Sequence, residues 1–159
     1  MSGTVKLDST DIRILAALQQ DASQPVAAIA ENVNLSQNAC WRRIKRLEDE
    51  GVIKKRVALL DAVKLGVGVT VFVTVRTGEH SEDWSENFST AVARMPEIME
   101  FYRLSGDADY LLKVQIPDIG AYDRFYKRLI QAAKLTDVSS AFSMEEIKQT
   151  TALPLPDAV

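Results

Sequence analysis

Histidine and cysteine are almost missing from this chain of 159 residues, which holds one of each, His80 and Cys40. One cysteine cannot form an intramolecular disulfide, and one Cys with one His cannot build a structural zinc site. Long apolar runs are missing too. No stretch approaches the roughly 18 residues that a membrane span needs, and the N-terminal MSGTVKLDST has no apolar block of the signal-peptide kind. The expectation is a cytoplasmic protein with no metal and no membrane partner. There is no nucleophile elbow and no glycine-rich phosphate loop, and His80 has neither a second histidine nor an activated nucleophile to work with.

What is present suffices for a core. With 47% hydrophobic residues, the chain can fold as one domain or as two small ones. The net charge of −3 is unevenly spread. Residues 1–60 hold 9 Lys and Arg against 7 Asp and Glu, while residues 61–159 hold 10 against 15. Seven of the basic residues of the first part lie between Trp41 and Arg56, so the positive field is concentrated in one segment.

Leu7-Asp8-Ser9-Thr10 offers several N-cap side chains, and Ile14, Leu15 and Leu18 then share one helical face, predicting a helix to about Gln20. Asp21 to Pro25 breaks it. Val26, Ile29, Ala30 and Val33 mark a second, short helix, and Asn32 to Leu35 a turn. Ser36 is a good N-cap for a third helix, on which Cys40, Ile44 and Leu47 form a narrow apolar face. Asn38, Arg42 and Lys45 fall opposite that face, Trp41 and Arg46 flank it, and Arg43 lies near the core boundary. Gly51 closes the helix, and VIKKRVALL reads as a short extended segment.

That order is the order of a winged helix-turn-helix, whose third helix fits the major groove of DNA. Ser36, Gln37, Asn38, Trp41, Arg42, Lys45 and Arg46 are the candidate groove-facing residues. Asn reads adenine and Arg reads guanine bidentately, while Lys54, Lys55 and Arg56 are placed to meet phosphates. Against this stands the ordinary fate of a charge run, a solvated helix face. Trp41 has its own alternative, packing against a neighbouring helix, and that is the commoner fate of a flanking tryptophan. Cys40, on the core face, reads as a small buried hydrophobe.

After a connector at Asp61 to Gly66, GVTVFVTVR alternates strictly, with Val69, Val71, Val73 and Val75 on one face of a strand. Trp84, Phe88, Val92 and Met95 mark a helix ended by Pro96. Ile98 to Leu104 and Tyr110 to Ile116 read as a hairpin about the turn Ser105 to Ala108. Tyr122, Phe125, Tyr126, Leu129 and Ile130 mark another helix after Asp118, and Val138 to Ile147 a last strand. The order β-α-β-β-α-β is the ferredoxin-like arrangement, which leaves one sheet face bare. A second copy of the chain is the simplest cover, and a symmetric dimer would also pair two DNA-reading heads.

From Leu7 to about Leu155 the chain resembles the Lrp/AsnC, or feast/famine, family of prokaryotic transcriptional regulators. The resemblance is carried by LDSTDIRILAALQQD, LSQNACWRRIKRLEDEGVI, SGDADYLLKV and MEEIKQTT. EHSEDW, PEIMEFYRLSGDADY and AYDRFYKRLI are similar to a subgroup that includes cysteine-responsive regulators. It implies an α+β protein with a winged helix-turn-helix and linker strand over residues 1–60. A ferredoxin-like ligand-binding and oligomerisation domain over residues 61–159 would follow. The expected partners are double-stranded DNA, further copies of the chain in dimers and octamers, and an amino acid or related metabolite held between dimers. No cofactor is expected. The family turn matching Ser105 to Tyr110 contributes to the effector site, which makes Gly106, Asp107 and Asp109 the candidate effector residues. An ordinary hairpin turn also favours Gly and Asp.

Two departures stand out. Gln37-Asn38-Ala39 replaces a Ser/Thr-Pro start to the third helix, and Ala133 to Thr136 replaces a Pro-Gly loop near the ligand pocket. The first implies a base preference different from that of relatives. Besides a ligand-modulated regulator, two other functions fit parts of the pattern. An architectural nucleoid protein would use the same head without an effector. An enzyme would need Asp107 and Asp109 as an acid/base pair joined by His80.

Overall fold

The computed structural model describes residues 5–156. Two compact units divide the chain, one formed by the chain up to Leu59 together with the segment from Lys148 on, the other by Leu60–Ile147. The expected second domain was to run to residue 159. Instead the last segment returns to the first unit, because Leu155 packs on its core and Gln19 makes reciprocal amide bonds to the Leu153 backbone, 3.1 and 2.7 Å. The outermost parts of both expected domains, residues 1–4 and 157–159, lie outside the described residues.

The first unit holds α1 (Ser9–Gln20), α2 (Val26–Asn32) and α3 (Gln37–Asp49). Asp8 caps α1 through a reciprocal box with Asp11, satisfying two N–H groups that a helix start leaves free. Between α2 and α3 the chain turns at Asn34, whose φ of 58 is the one positive value among the described non-glycine residues. Asparagine tolerates this left-handed geometry better than most side chains. Ser36 Oγ accepts from the Ala39 N–H at 3.2 Å and starts α3. Gly51, with φ 72, ends it, and the Ile53 N–H reaches back to the Leu47 carbonyl at 3.0 Å. Ile14, Leu15, Ile29, Ala30, Val33, Cys40, Ile44 and Leu47 form the core. VIKKRVALL does not form the expected strand. Among the described residues it has no facing strand to bond, and a lone extended segment gains nothing from its own backbone.

The second unit holds β1 (Val69–Arg76), α4 (Glu82–Ala93), β2 (Ile98–Arg103), β3 (Tyr110–Ile116), α5 (Ile119–Ala132) and β4 (Asp137–Phe142). The sheet runs β2-β3-β1-β4, antiparallel throughout, the ferredoxin-like order. Val71, Val73 and Val75 pair with Val114, Leu112 and Tyr110 and are buried under Trp84, Phe88 and Val92 of α4 and Phe125 and Leu129 of α5. Phe72, Tyr102 and Leu111 belong to the opposite face, and the first two are exposed. β4 ends at Phe142 rather than Ile147. Its partner β1 begins at Val69, and with Phe142 opposite Val71 the register leaves Ser143 one last bond, to Thr70, before the partner runs out.

Candidate nucleic-acid interface and effector site

The inner face of α3 is fixed by apolar burial, and the rest of the helix is thereby turned outward. Gln37, Asn38, Trp41, Arg42 and Lys45 are all exposed, as is the capping Ser36. Trp41 is 55% exposed and is not one of the side chains packed on the core, so about half of it faces outward with the cations. Cys40 is fully buried, and burial pushes its thiol pKa up, as a core hydrophobe requires.

The seven cations of this segment fall into two groups. Arg43 donates to Asp8 at 2.7 Å and to Asp11 at 2.8 Å, and Arg46 donates to Asp11 at 2.6 Å with Glu50 3.9 Å away. Lys45 pairs with Asp49 at 2.7 Å and Arg56 with Glu48 at 3.0 Å. Among the described residues, Arg42, Lys54 and Lys55 form no ion pair, and all three are exposed. Arg46, a groove-facing candidate by sequence, is thus held on Asp11. Its guanidinium is engaged with α1 rather than presented with Arg42.

Asp11 is the centre of this arrangement and was not anticipated from sequence. Its carboxylate is 1% exposed and accepts from the Asp8 N–H, Arg43 and Arg46. Three charge-assisted donors are what makes such a buried carboxylate tolerable. The same contacts act on the partners. Asp8 and then Asp11 raise the Arg43 pKa, and Asp11 raises that of Arg46. The Asp11 N–H and then Arg43 hold Asp8 down at about 2. A signal existed in the sequence: Asp11 stands three residues before Ile14, on the stripe that Ile14 and Leu18 continue, where the helical period calls for an apolar side chain. The start of α1 and the flank of α3 enclose an open groove of about 790 Å³ that includes Lys6, Asp8, Asp11, Arg42, Arg43 and Arg46.

In the second unit, Gly106 and Asp107 lie exposed at the tip of the β2–β3 hairpin, where Gly106 adopts φ 146. Asp109 is placed differently. Its backbone N–H donates to the Val75 carbonyl at 3.0 Å, its carbonyl accepts from Leu104 at 2.8 Å, and its carboxylate accepts from the Thr77 N–H at 2.8 Å. The second carboxylate oxygen lies 3.9 Å from His80 Nδ1. The structure thus brings Asp109 together with the Thr77–His80 loop and leaves Asp107 apart. His80 also borders an open cavity of about 440 Å³ with Ser85, Arg103 and Tyr110 among its walls. Ser85 and Tyr110 share a hydroxyl hydrogen bond of 3.2 Å. Arg103 and Tyr110 are register partners across the hairpin, a relation that strand alternation alone does not disclose.

Comparison with known proteins accounts for both units. Residues 7–54 match the winged helix-turn-helix DNA-binding profile, and residues 70–153 match the Lrp/AsnC ligand binding domain. The glutamate uptake regulatory protein of Zymomonas mobilis is 58% identical over 96% of this chain and 93% of its own. The DNA-binding transcriptional activator DecR of Escherichia coli is 49% identical over 94% of this chain and 99% of its own. An AsnC family transcriptional regulator from Agrobacterium tumefaciens superposes with a TM-score of 0.91 at 55% identity, covering 93% of this chain and 97% of that one. A transcriptional regulator from Neisseria meningitidis, solved as its L-Met complex, superposes with a TM-score of 0.89 at 35% identity, covering 94% and 97%. A DNA-reading head and a ligand-binding domain in this order, with such similarity along nearly the whole chain, place it in the Lrp/AsnC family of transcriptional regulators.

Proposed function

We propose that this regulator binds operator DNA through the outward face of α3 and that an amino acid or a closely related metabolite modulates that binding or the assembly behind it. The observation that carries the first part is the separation of cations. Arg42 projects beside Asn38 and Trp41, and neither it nor Lys54 or Lys55 on the segment after α3 has an acidic partner among the described residues. Arg42 and Asn38 suit base edges, and the two lysines suit phosphates. Ser36 and Gln37 complete the reading end of α3, while Lys45 and Arg56 reach DNA only by leaving Asp49 and Glu48. Asp107, Asp109 and His80 are given no enzymatic role in this reading, because members of the family are transcriptional regulators.

The effector reading is supported by the ligand-binding domain and by the L-Met complex of the Neisseria relative. Gly106, Asp107 and Asp109 are our assignment for its site, with the Asp carboxylates complementary to an α-ammonium. His80 and Arg103 border the adjoining cavity, and Arg103 is complementary to an α-carboxylate. Two copies pairing through the bare sheet face, and dimers assembling further toward an octamer, complete the proposal, with the cytoplasm as its place of action.

A thermal unfolding screen against the twenty amino acids tests the effector. A ligand at 100 times its dissociation constant stabilises the fold by about 2.7 kcal/mol, a shift of several degrees. The shift is expected with one or a few amino acids and is expected to disappear in Asp107→Asn. No shift with any of the twenty would favour the architectural alternative, in which the same head binds DNA without an effector.

A further inference from the structure

Two of the arginines on the DNA-facing helix are turned away from use. Arg43 and Arg46 project from α3 one turn apart, and both end on the Asp11 carboxylate, which is almost wholly buried and belongs to α1. Asp8 adds a second acceptor for Arg43, and Glu50 lies beside Arg46. Their side chains remain 33% and 41% exposed, so nothing but these carboxylates keeps them from a neighbouring phosphate.

On the footing that α3 is the groove-reading helix, we propose that Asp11 is a specificity-determining positioning residue: it withholds Arg43 and Arg46 from the phosphate backbone and locks the rotation of α3 about its axis. Phosphate contacts strengthen binding to every sequence alike, whereas base contacts separate one sequence from another. A cation kept on Asp11 adds nothing to binding on random DNA. The lock works by geometry. α3 presents Asn38 and Arg42 on one side and grips α1 through Arg43 and Arg46 on another, so the grip fixes the angle at which the reading pair meets base edges.

The test compares wild-type protein with Asp11→Asn on two duplexes: the one that wild-type protein enriches from a randomised pool, and a shuffled duplex of equal length. Affinity is measured over a series of salt concentrations. The amide keeps the shape of the carboxylate but cannot hold two guanidinium groups. The freed arginines are expected to reach phosphates, steepening the slope of log affinity against log salt by about one to two, since each phosphate contact contributes about 0.9. Binding to the shuffled duplex should tighten, and discrimination between the duplexes should fall about tenfold, within what one good base contact supplies. Unchanged slope and unchanged discrimination would overturn the inference, even if the variant melted earlier, because a merely structural carboxylate lowers stability without moving either quantity.

If Asp11→Asn fails to fold, Arg46→Gln decides, since Asp11 then keeps Arg43 as partner. A withheld Arg46 leaves the salt slope as in wild type. A slope smaller by about one would mean that Arg46 already meets a phosphate, and would overturn the proposal. Wild-type protein that enriches no duplex at all would instead remove the reading of α3 and leave this inference without its footing.

Discussion

Single residues on α3 carry separable tasks. Arg42 has no acidic partner among the described residues and faces outward, so its removal should cost the fold little and, on the proposed reading of bases, the complex much. Arg42→Ala is expected to weaken binding to the selected duplex by about 1 to 3 kcal/mol and binding to shuffled DNA much less, as read by fluorescence anisotropy. Equal losses on both would make it a phosphate contact. Asp8, besides holding Arg43, contributes to the fold. Its pKa is held at about 2, against an ordinary 3.8, by the Asp11 N–H and Arg43. A lowered carboxylate contributes stability that is fully present above its unfolded value and is lost as pH falls through its folded one. The contribution should therefore disappear between about pH 4 and pH 2. With its side chain 50% exposed, screening limits it to about 1 kcal/mol or less. Asp8→Asn keeps a capping oxygen and removes the charge, so its melting temperature should lie below wild type at pH 5 and converge with it near pH 2. Parallel pH profiles would rule that contribution out.

At the scale of elements, the turn from α2 to α3 sets where the reading helix points. Asn34 holds φ at 58 there, and the Leu35 N–H donates to the Ala30 carbonyl at 2.9 Å. A β-branched side chain in that conformation is strained by about 1 to 2 kcal/mol, whereas glycine adopts it freely. Asn34→Val should lower the urea midpoint accordingly, and Asn34→Gly should stay near wild type. If both variants lose stability equally, the asparagine side chain rather than its backbone geometry is what matters. The elements themselves were largely legible. The apolar periods of α1, α2 and α3, and the strict alternation of β1, follow from helix and strand geometry, and these residues do form the two cores. Strand ends were less so. β4 stops where β1 begins, and VIKKRVALL has no facing strand among the described residues, because a strand's length is a property of its partner as much as of its own residues.

For the whole molecule, the uncovered sheet face matters most. Phe72 is 41% exposed there, with Lys113 and Ala141 as its register neighbours. If two copies pair through this face, Phe72→Glu places a charge in an interface that must be desolvated, a substantial penalty when the charge has no new partner. Sedimentation equilibrium should then show a shift toward monomer, with the unit's own core untouched. An unchanged association state would exclude this face as the seam and leave the exposed apolar residues at and just before the connector, Leu59, Leu60 and Val63, as the alternative.

By itself the sequence carried the family resemblance in its motifs, and it determined the order of the elements, the apolar faces and the outward placement of Asn38 and Arg42, since periodicity follows from backbone geometry and needs no distant partner. Only the tertiary structure decided which cations are free. Arg42, Arg43 and Arg46 look alike in a string of letters, and Asp11 lies about thirty residues away from them. The approach of α1 to α3 turns two of the three into internal partners of one buried carboxylate. Asp107 and Asp109 separate in the same way: the second is tied to Thr77 just past the end of β1, while the first stays at the hairpin tip. Charge pairing is set by distances across the fold, and those distances exist only once the apolar faces have come together.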